Sequence, residues 1–358
     1  MINPELRLFD ALHQGTINST SSCGLAKRIL SLLLFSVITF KNQLKIIMQA
    51  TIQKELTGKM DTMEFKSLFK MNSKTHILNM VYNWLIIFVV IYAYHLLSSL
   101  WFYIPALLII GARMHALTIL MHDAAHYRFL KNRKWNDLIS NVFIMYPLFS
   151  SIQKYRANHL KHHQHLNSDM DPDWVAKLTK REFQFPKTKG NFLLTIFSYI
   201  IFYQGFLDAV WFLKRYKTSG KKRNPQNRDR YIKLAFYLIL FSSLTYFNLW
   251  YSYILFWMAP YLSSFFMFQY IRSVAEHFGD LAYEDSLSST RTVQPNLFEK
   301  FFIAPHHVGY HIEHHLFPAI PFYNLPKLHK LLMKQDKYRL NAHITRGYVK
   351  GLLQELGK

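Results

Sequence analysis

Residues 77–97 and 100–121 are apolar over about the 20 residues a helix needs to cross a bilayer, and this rules out most soluble folds. Residues 232–250 and 251–271 repeat the pattern and are joined by almost nothing, which predicts a second tight helical hairpin. Arg113 interrupts the second stretch, and a charge is costly at mid-bilayer, so this helix is expected to leave the lipid near Arg113 and continue into water. Residues 138–149 are too short to span and are expected to dip into the membrane or lie on it. Residues 29–40 are equally short, with Lys27, Arg28, Lys41 and Lys45 as flanks; they read as an interfacial anchor or as sequence upstream of a start at Met48, Met60 or Met63.

Residues 191–213 are apolar but contain Gln204, Gly205 and Asp208. If they crossed the membrane, the histidines at 159–165 and at 306–315 would fall on opposite faces, and the basic loop at 214–233 would face outward. Cytoplasmic loops carry the Lys/Arg excess, so an interfacial amphipathic helix fits better. The predicted fold is therefore an all-α integral membrane protein with four transmembrane helices in two hairpins, interfacial helices and a cytosolic histidine-rich cap. It divides into an N-terminal extension (1–76), a membrane domain (77–335) and a C-terminal tail (336–358).

Lys and Arg number 43 against 21 Asp and Glu, a net charge of +22. These basic residues flank the spans and form no recognition module, which argues for an anionic membrane surface and against nucleic acid. Cys23 is the only cysteine, so an intramolecular disulfide framework and any Cys-rich zinc or iron–sulfur site are excluded. A metal would have to be held by nitrogen or oxygen.

The 18 histidines are unevenly spread. His122 and His126 are four residues apart. His159, His162 and His163 are spaced i, i+3, i+4, and so are His311, His314 and His315; each cluster lies along one helical face. His277 stands six residues past the last apolar stretch. Neutral imidazole ligates iron, zinc or copper. Nine clustered rings exceed what one ion takes, so two ions are expected. The His-Glu-x-x-His order of zinc hydrolases is missing, since Glu313 precedes His314. Iron with open coordination positions activates dioxygen. A lone histidine is ordinarily a packed or hydrogen-bonded side chain, and His13, His76, His95, His329 and His343 are given no role. His115, His165, His306 and His307 are read as neighbours of the site or as structural.

The three clusters, with Tyr155-Arg156 before the second, Asp171-Pro172-Asp173-Trp174 after it, residues 272–277, and Gly309-Tyr310-His311-Ile312-Glu313-His314-His315-Leu316-Phe317-Pro318, resemble the membrane fatty acid desaturase superfamily over roughly residues 80–335. That superfamily also holds hydroxylases and carotene ketolases. The resemblance implies a mushroom-like helical fold and a non-haem di-iron centre held by His122, His126, His159, His162, His163, His277, His311, His314 and His315. Ser273 stands where acyl-CoA desaturases place an asparagine. No His-Pro-Gly-Gly of a fused cytochrome b5 domain occurs, so electrons would come from a separate ferredoxin- or cytochrome b5-type donor.

The sequence thus predicts an O2-dependent desaturase of acyl lipids or acyl thioesters, with its histidine boxes on the cytoplasmic face of a bacterial inner membrane or the endoplasmic reticulum. A hydroxylase or carotenoid ketolase on the same centre is the alternative. A histidine-rich metal transporter is more distant, because the clusters flank the spans instead of lying inside them. Asp123, Asp169, Asp171 and Asp173 read as turn and cap residues before partners of the imidazoles. Glu276 and Glu313 are candidates to hold the second ring nitrogen of a neighbouring histidine. The aromatics Trp250, Tyr251, Tyr253, Trp257 and Tyr261 are expected to pack or to form an interfacial belt.

Overall fold

The computed structural model describes residues 36, 47–58, 60–218, 227–283 and 285–357. His13, Cys23, the run at 29–40 apart from Ser36, and the centre of the basic loop lie outside the described residues. Among the described residues, three helices are long and apolar enough to cross a membrane: Ser73–Leu97, Leu100–Ala125 and Trp250–His277. The first starts at Asn72, whose side chain accepts from the Lys74 and Thr75 N–H groups. It ends where Ser98 turns left-handed, and Ser99 begins the second. In the third, Pro260 cannot donate to the helical ladder, and wide turns at Ile254–Met258 and Tyr261–Phe265 lie on either side of it.

The first helix is the outer one. Leu78, Leu85, Phe88, Val89 and Tyr92 are exposed, as expected of side chains facing lipid, whereas the second helix is mostly buried. Gly111 of the second lies against Ser264 of the third: an added Cβ would sit 2.0 Å from Ser264 Oγ and 2.7 Å from the Phe265 nitrogen. Ser264 Oγ also donates to the Leu107 carbonyl at 2.7 Å. Tyr103 OH donates to the Leu255 carbonyl at 3.0 Å on one side of this contact and Gln269 Nε2 to Thr118 Oγ1 at 3.4 Å on the other, so contact advances the same way along both helices: they run in parallel and end on the same side. Gly111→Ala is expected to force them apart at a cost of about 1–3 kcal/mol, read as a lower melting temperature in detergent. An unchanged melting temperature would refute the close crossing.

Arg113 does not lead the second helix into water. It is 3 % exposed, donates to Asn83 Oδ1 at 3.2 Å and to the Phe301 carbonyl, and stacks over the Phe301 ring at 3.9 Å. Residues 297–308 fold back over this part of the helix, so protein replaces the water the sequence suggested.

The segment at 191–213 is bent by 79° between Lys189–Ile200 and Tyr203–Trp211. Of Gln204, Gly205 and Asp208, the last two are accounted for. Gly205 lies against the Leu262 carbonyl, and Asp208 accepts from Lys180 Nζ at 2.6 Å and Tyr199 OH at 2.7 Å. Asn227–Tyr246 is 20 residues long but carries Arg228, Asp229, Arg230 and Lys233 in its first two turns, so it is less apolar than the other three. Its first turns lie beside the start of the helix Ile152–Gln164: Gln153 Nε2 donates to Asp229 Oδ2 at 3.3 Å.

Short helices carry much of the remaining chain, and among the described residues one two-stranded parallel sheet pairs Thr292–Gln294 with Ile344–Arg346. A separate apolar core joins Ile52, Leu56 and Leu68 to Ile312, Leu316, Leu325, Leu328 and Tyr338. Part of the sequence before the first span therefore packs against the third histidine cluster. Trp257 stacks flat on Trp84 at 5.3 Å while Tyr251 is exposed, so the aromatic set both packs and faces outward.

Candidate metal centre

Each cluster lies at or near a helix end. His122 lies in the last turn of Leu100–Ala125, and His126 is its C-cap. The carbonyls of this last turn are short of helical partners, and that of Ala124 takes the Tyr127 N–H at 3.1 Å and Asn136 Nδ2 at 2.9 Å. Arg156, from the second cluster's helix, donates to the Ala124 and Ala125 carbonyls at 2.9 and 2.8 Å, and its two terminal nitrogens grip Asp137 at 2.9 and 2.6 Å. The helix Ile152–Gln164, which starts at Ser151, carries His159, His162 and His163. The helix His311–Leu316 carries the third cluster, and His277 ends the third long helix.

The nine sequence-predicted histidines meet in two groups. His122, His126, His159, His163 and His314 form one; His162, His277, His311 and His315 form the other. Within each group one nitrogen per ring lies within 4.8 Å of all the others. In the first, His126 Nε2 is 2.9 Å from His159 Nε2, and His163 Nε2 is 3.0 Å from both His159 Nε2 and His314 Nε2. In the second, His311 Nε2 is 2.9 Å from His277 Nε2 and 3.1 Å from His315 Nε2. His115, His165, His306 and His307 belong to neither group. His115 Nε2 faces the Ile303 carbonyl at 3.0 Å, and His306 Nε2 faces Asn83 Nδ2 at 3.1 Å.

These donor sets fit metal ions. The converging atoms are ring nitrogens, no carboxylate belongs to either group, and His122 Nε2 is buried with no protein partner. Buried nitrogens aimed at one point are costly without a shared cation. An all-imidazole set suits iron, copper or zinc better than magnesium or calcium.

Carboxylates stand one bond further out. Asp171 uses one oxygen to cap the helix Pro172–Leu178, accepting from the Asp173 and Trp174 N–H groups at 2.9 and 3.2 Å. Its other oxygen accepts from His162 Nδ1 at 2.7 Å and from the Asn167 N–H at 3.1 Å. A carboxylate only accepts, so the hydrogen sits on Nδ1 and the Nε2 lone pair faces the second group. The cap reading of Asp171 was thus half of its role. Glu276 Oε1 lies 3.4 Å from His311 Nδ1 and accepts from Arg272 Nε at 2.7 Å.

Glu313 serves no metal-facing ring. It accepts from Thr292 Oγ1 and Tyr338 OH, both at 2.6 Å, and pairs with His329. Asp123 accepts from His76 Nε2 and from the Phe322 N–H, each at 3.0 Å. His76 and His329, given no role from sequence, therefore anchor residues beside the first and third clusters. Sequence spacing carried no signal for either, since the pairs are 47 and 16 residues apart.

Burial and mutual repulsion hold His159, His163, His311, His314 and His315 well below the usual imidazole range. Burial, aided by Arg128 and Arg156, brings His126 down to about 4. The folded chain keeps these rings neutral where the unfolded chain takes up protons, from about pH 6.5 downward. Stability is therefore full above about pH 6.5 and falls as the pH drops toward 4. Melting temperature and bound metal should both decline between pH 7 and pH 5; a melting temperature that stays flat over that range would refute the buried-neutral state.

The model of the fatty acid desaturase family matches residues 98–347, which include all nine of these histidines. The chain belongs to the fatty acid desaturase family. It is an oxidoreductase of an iron-dependent family whose members carry histidine boxes in a membrane domain. It is 31 % identical over 262 residues to the dihydrorhizobitoxine desaturase of Bradyrhizobium elkanii, covering 71 % of this chain and 74 % of that one. It is 24 % identical over 237 residues to the sn-1 oleoyl-lipid 12-desaturase of Anabaena variabilis, covering 63 % and 67 %. It is 28 % identical over 238 residues to the human sphingolipid delta(4)-desaturase/C4-monooxygenase, covering 62 % of each. Residues 47–57, which pack against the third cluster, precede the family match.

Proposed function

We propose that this desaturase introduces a C=C bond into an acyl chain carried on a lipid or a thioester, using two irons. The observation that carries this reading is the pair of all-imidazole groups at the shared end of two long apolar helices. His122, His126, His159, His163 and His314 would hold one iron, and His162, His277, His311 and His315 the other. When bound, the irons supply the reduction of dioxygen to two waters, with two electrons from a separate donor and two from the adjacent C–H bonds of the chain.

The protein's own part is to orient and to exclude. Asp171 fixes the tautomer of His162, and Glu276 with Arg272 steadies His311. Arg156 ties the first cluster to the second. Burial of most of the rings limits the access of bulk water to the centre. Methylenes offer no polar handle, so the shape of an apolar channel between the helices would choose the position of the new bond.

Parity supports four spans. His122 and His277 end parallel helices on one face, so the chain crosses an odd number of times between residues 125 and 250. Asn227–Tyr246 begins beside the start of the second cluster's helix and is favoured as that crossing, with the bent segment at 189–211 interfacial. Arg230 and Lys233 at the start of Asn227–Tyr246 then share the face of the histidines, which the positive-inside tendency makes cytoplasmic. A ferredoxin- or cytochrome b5-type donor would dock there.

The test is mass spectrometry of total lipids from cells expressing the chain. Acyl chains lacking two hydrogens are expected, with none in cells expressing His314→Ala. Oxygen insertion is the second reading, favoured by the monooxygenase half of the human relative's name. Products that gain an oxygen would establish it and overturn desaturation.

A further inference from the structure

The third cluster rides on a short helix, His311–Leu316, which ends at Phe317-Pro318. Proline has no N–H to give, and the carbonyls of a last helical turn lack partners within the helix. The Phe317 N–H satisfies the Glu313 carbonyl at 2.9 Å. The His315 and Leu316 carbonyls instead take side chains from a distant part of the chain. Gln49 Nε2 donates to His315 O at 3.0 Å, and Gln53 Nε2 donates to Leu316 O.

Both glutamines belong to the helical stretch at 47–57. Gln49, Ile52, Gln53 and Leu56 share one face of it, spaced i, i+3, i+4, i+7. Ile52 and Leu56 are buried against Leu316 and Ile312, and Glu55 pairs with Lys337. Gln49 also lines an open cleft of about 400 Å³ with His163, Gln164 and His165. One helical face thus touches the cluster's backbone, its apolar support and the opening beside His163.

We infer that residues 47–57 form a strap that completes the metal centre, with Gln49 and Gln53 as positioning residues that fix the end of the third cluster's helix. They act through His314 and His315, one in each group. This inference rests on the ligand assignment proposed above. By the same logic Arg156 fixes the end of the first cluster's helix, so each of these helix ends is held by side chains from another element.

Methionine matches glutamine in length and apolar packing but cannot donate, whereas lysine can donate to a helix's last carbonyls. The full-length chain is therefore compared with the paired variants Gln49→Met/Gln53→Met and Gln49→Lys/Gln53→Lys, each purified in detergent with its iron. The readouts are iron loss to a chelator and the iron-57 Mössbauer spectrum. The methionine pair is expected to release iron about tenfold faster or more, the lower end of what an outer partner of a ligand contributes, with altered signals. The lysine pair should restore wild-type behaviour.

A methionine pair that keeps wild-type release and spectrum would overturn the strap, because packing alone would then explain the contact. If that pair does not accumulate, Gln53→Met alone is read in the same way. Failure of the ligand assignment looks different: wild type would hold no iron, or His314→Ala would hold as much as wild type.

Discussion

His314→Ala is expected to abolish lipid oxidation and to remove iron from the group of five, while the chain still inserts into membranes. His314 is 3 % exposed, with its Nε2 3.0 Å from His163 Nε2 and its ring packed on those of His122 and His126. Its loss leaves four nitrogens and a void that water can fill. Losing an outer partner of a metal ligand costs about 10–100-fold in affinity or activity, so losing the ligand itself should exceed that range. Insertion should survive, since alanine is the best helix former and the three apolar helices lie elsewhere. Product formation, iron per chain and membrane flotation check this together. His95→Ala is the control: His95 is an exposed ring in the last turn of the first long helix, and its loss should change none of the three. A His314→Ala chain that still makes product would sink the assignment.

Asp171→Asn should be nearly as damaging for the other group, although it changes a single atom. The carboxylate accepts four hydrogen bonds, two at the start of the helix Pro172–Leu178 and two from His162 and Asn167. An amide has one accepting oxygen and an NH2 group that only donates. Whichever way it turns, it sets its NH2 against two N–H donors. If the oxygen keeps the cap, His162 loses its anchor, and metal affinity should fall about 10–100-fold. If the oxygen faces His162, the cap is lost at about 0.5–2 kcal/mol. Chelator challenge and melting temperature separate the two cases. Asp169→Ala, at an exposed neighbour, should alter neither. An Asp171→Asn chain with wild-type iron retention and stability would show that the His162–Asp171 bond does nothing for the metal.

The division of the histidines between two groups follows from helical geometry. Rings four residues apart stay together: His122 with His126, His159 with His163, His311 with His315. Adjacent residues point about 100° apart on a helix, so His162 parts from His163, and His314 from His315. The second and third clusters therefore each feed both groups. That signal was present in the spacing, although which helices face one another was not.

Arg113 shows the opposite limit. Its charge within an apolar run argues for water, and hydropathy read along the chain has no means of seeing that Asn83 and the Phe301 carbonyl come to meet it. Gln49 and Gln53 are a similar case. They lie more than 260 residues from the carbonyls they cap, in a stretch whose composition marks nothing.

Sequence alone determined three of the four predicted apolar spans and the three histidine clusters, because helix spans and ring spacing are local properties of 3.6-residue periodicity. Only the tertiary structure decided which rings share a group, which carboxylate orients which imidazole, and what closes the ends of the cluster-bearing helices. Those outcomes depend on buried polar atoms finding partners across long separations in the chain, and the requirement that every such atom be satisfied acts only once the helices have packed.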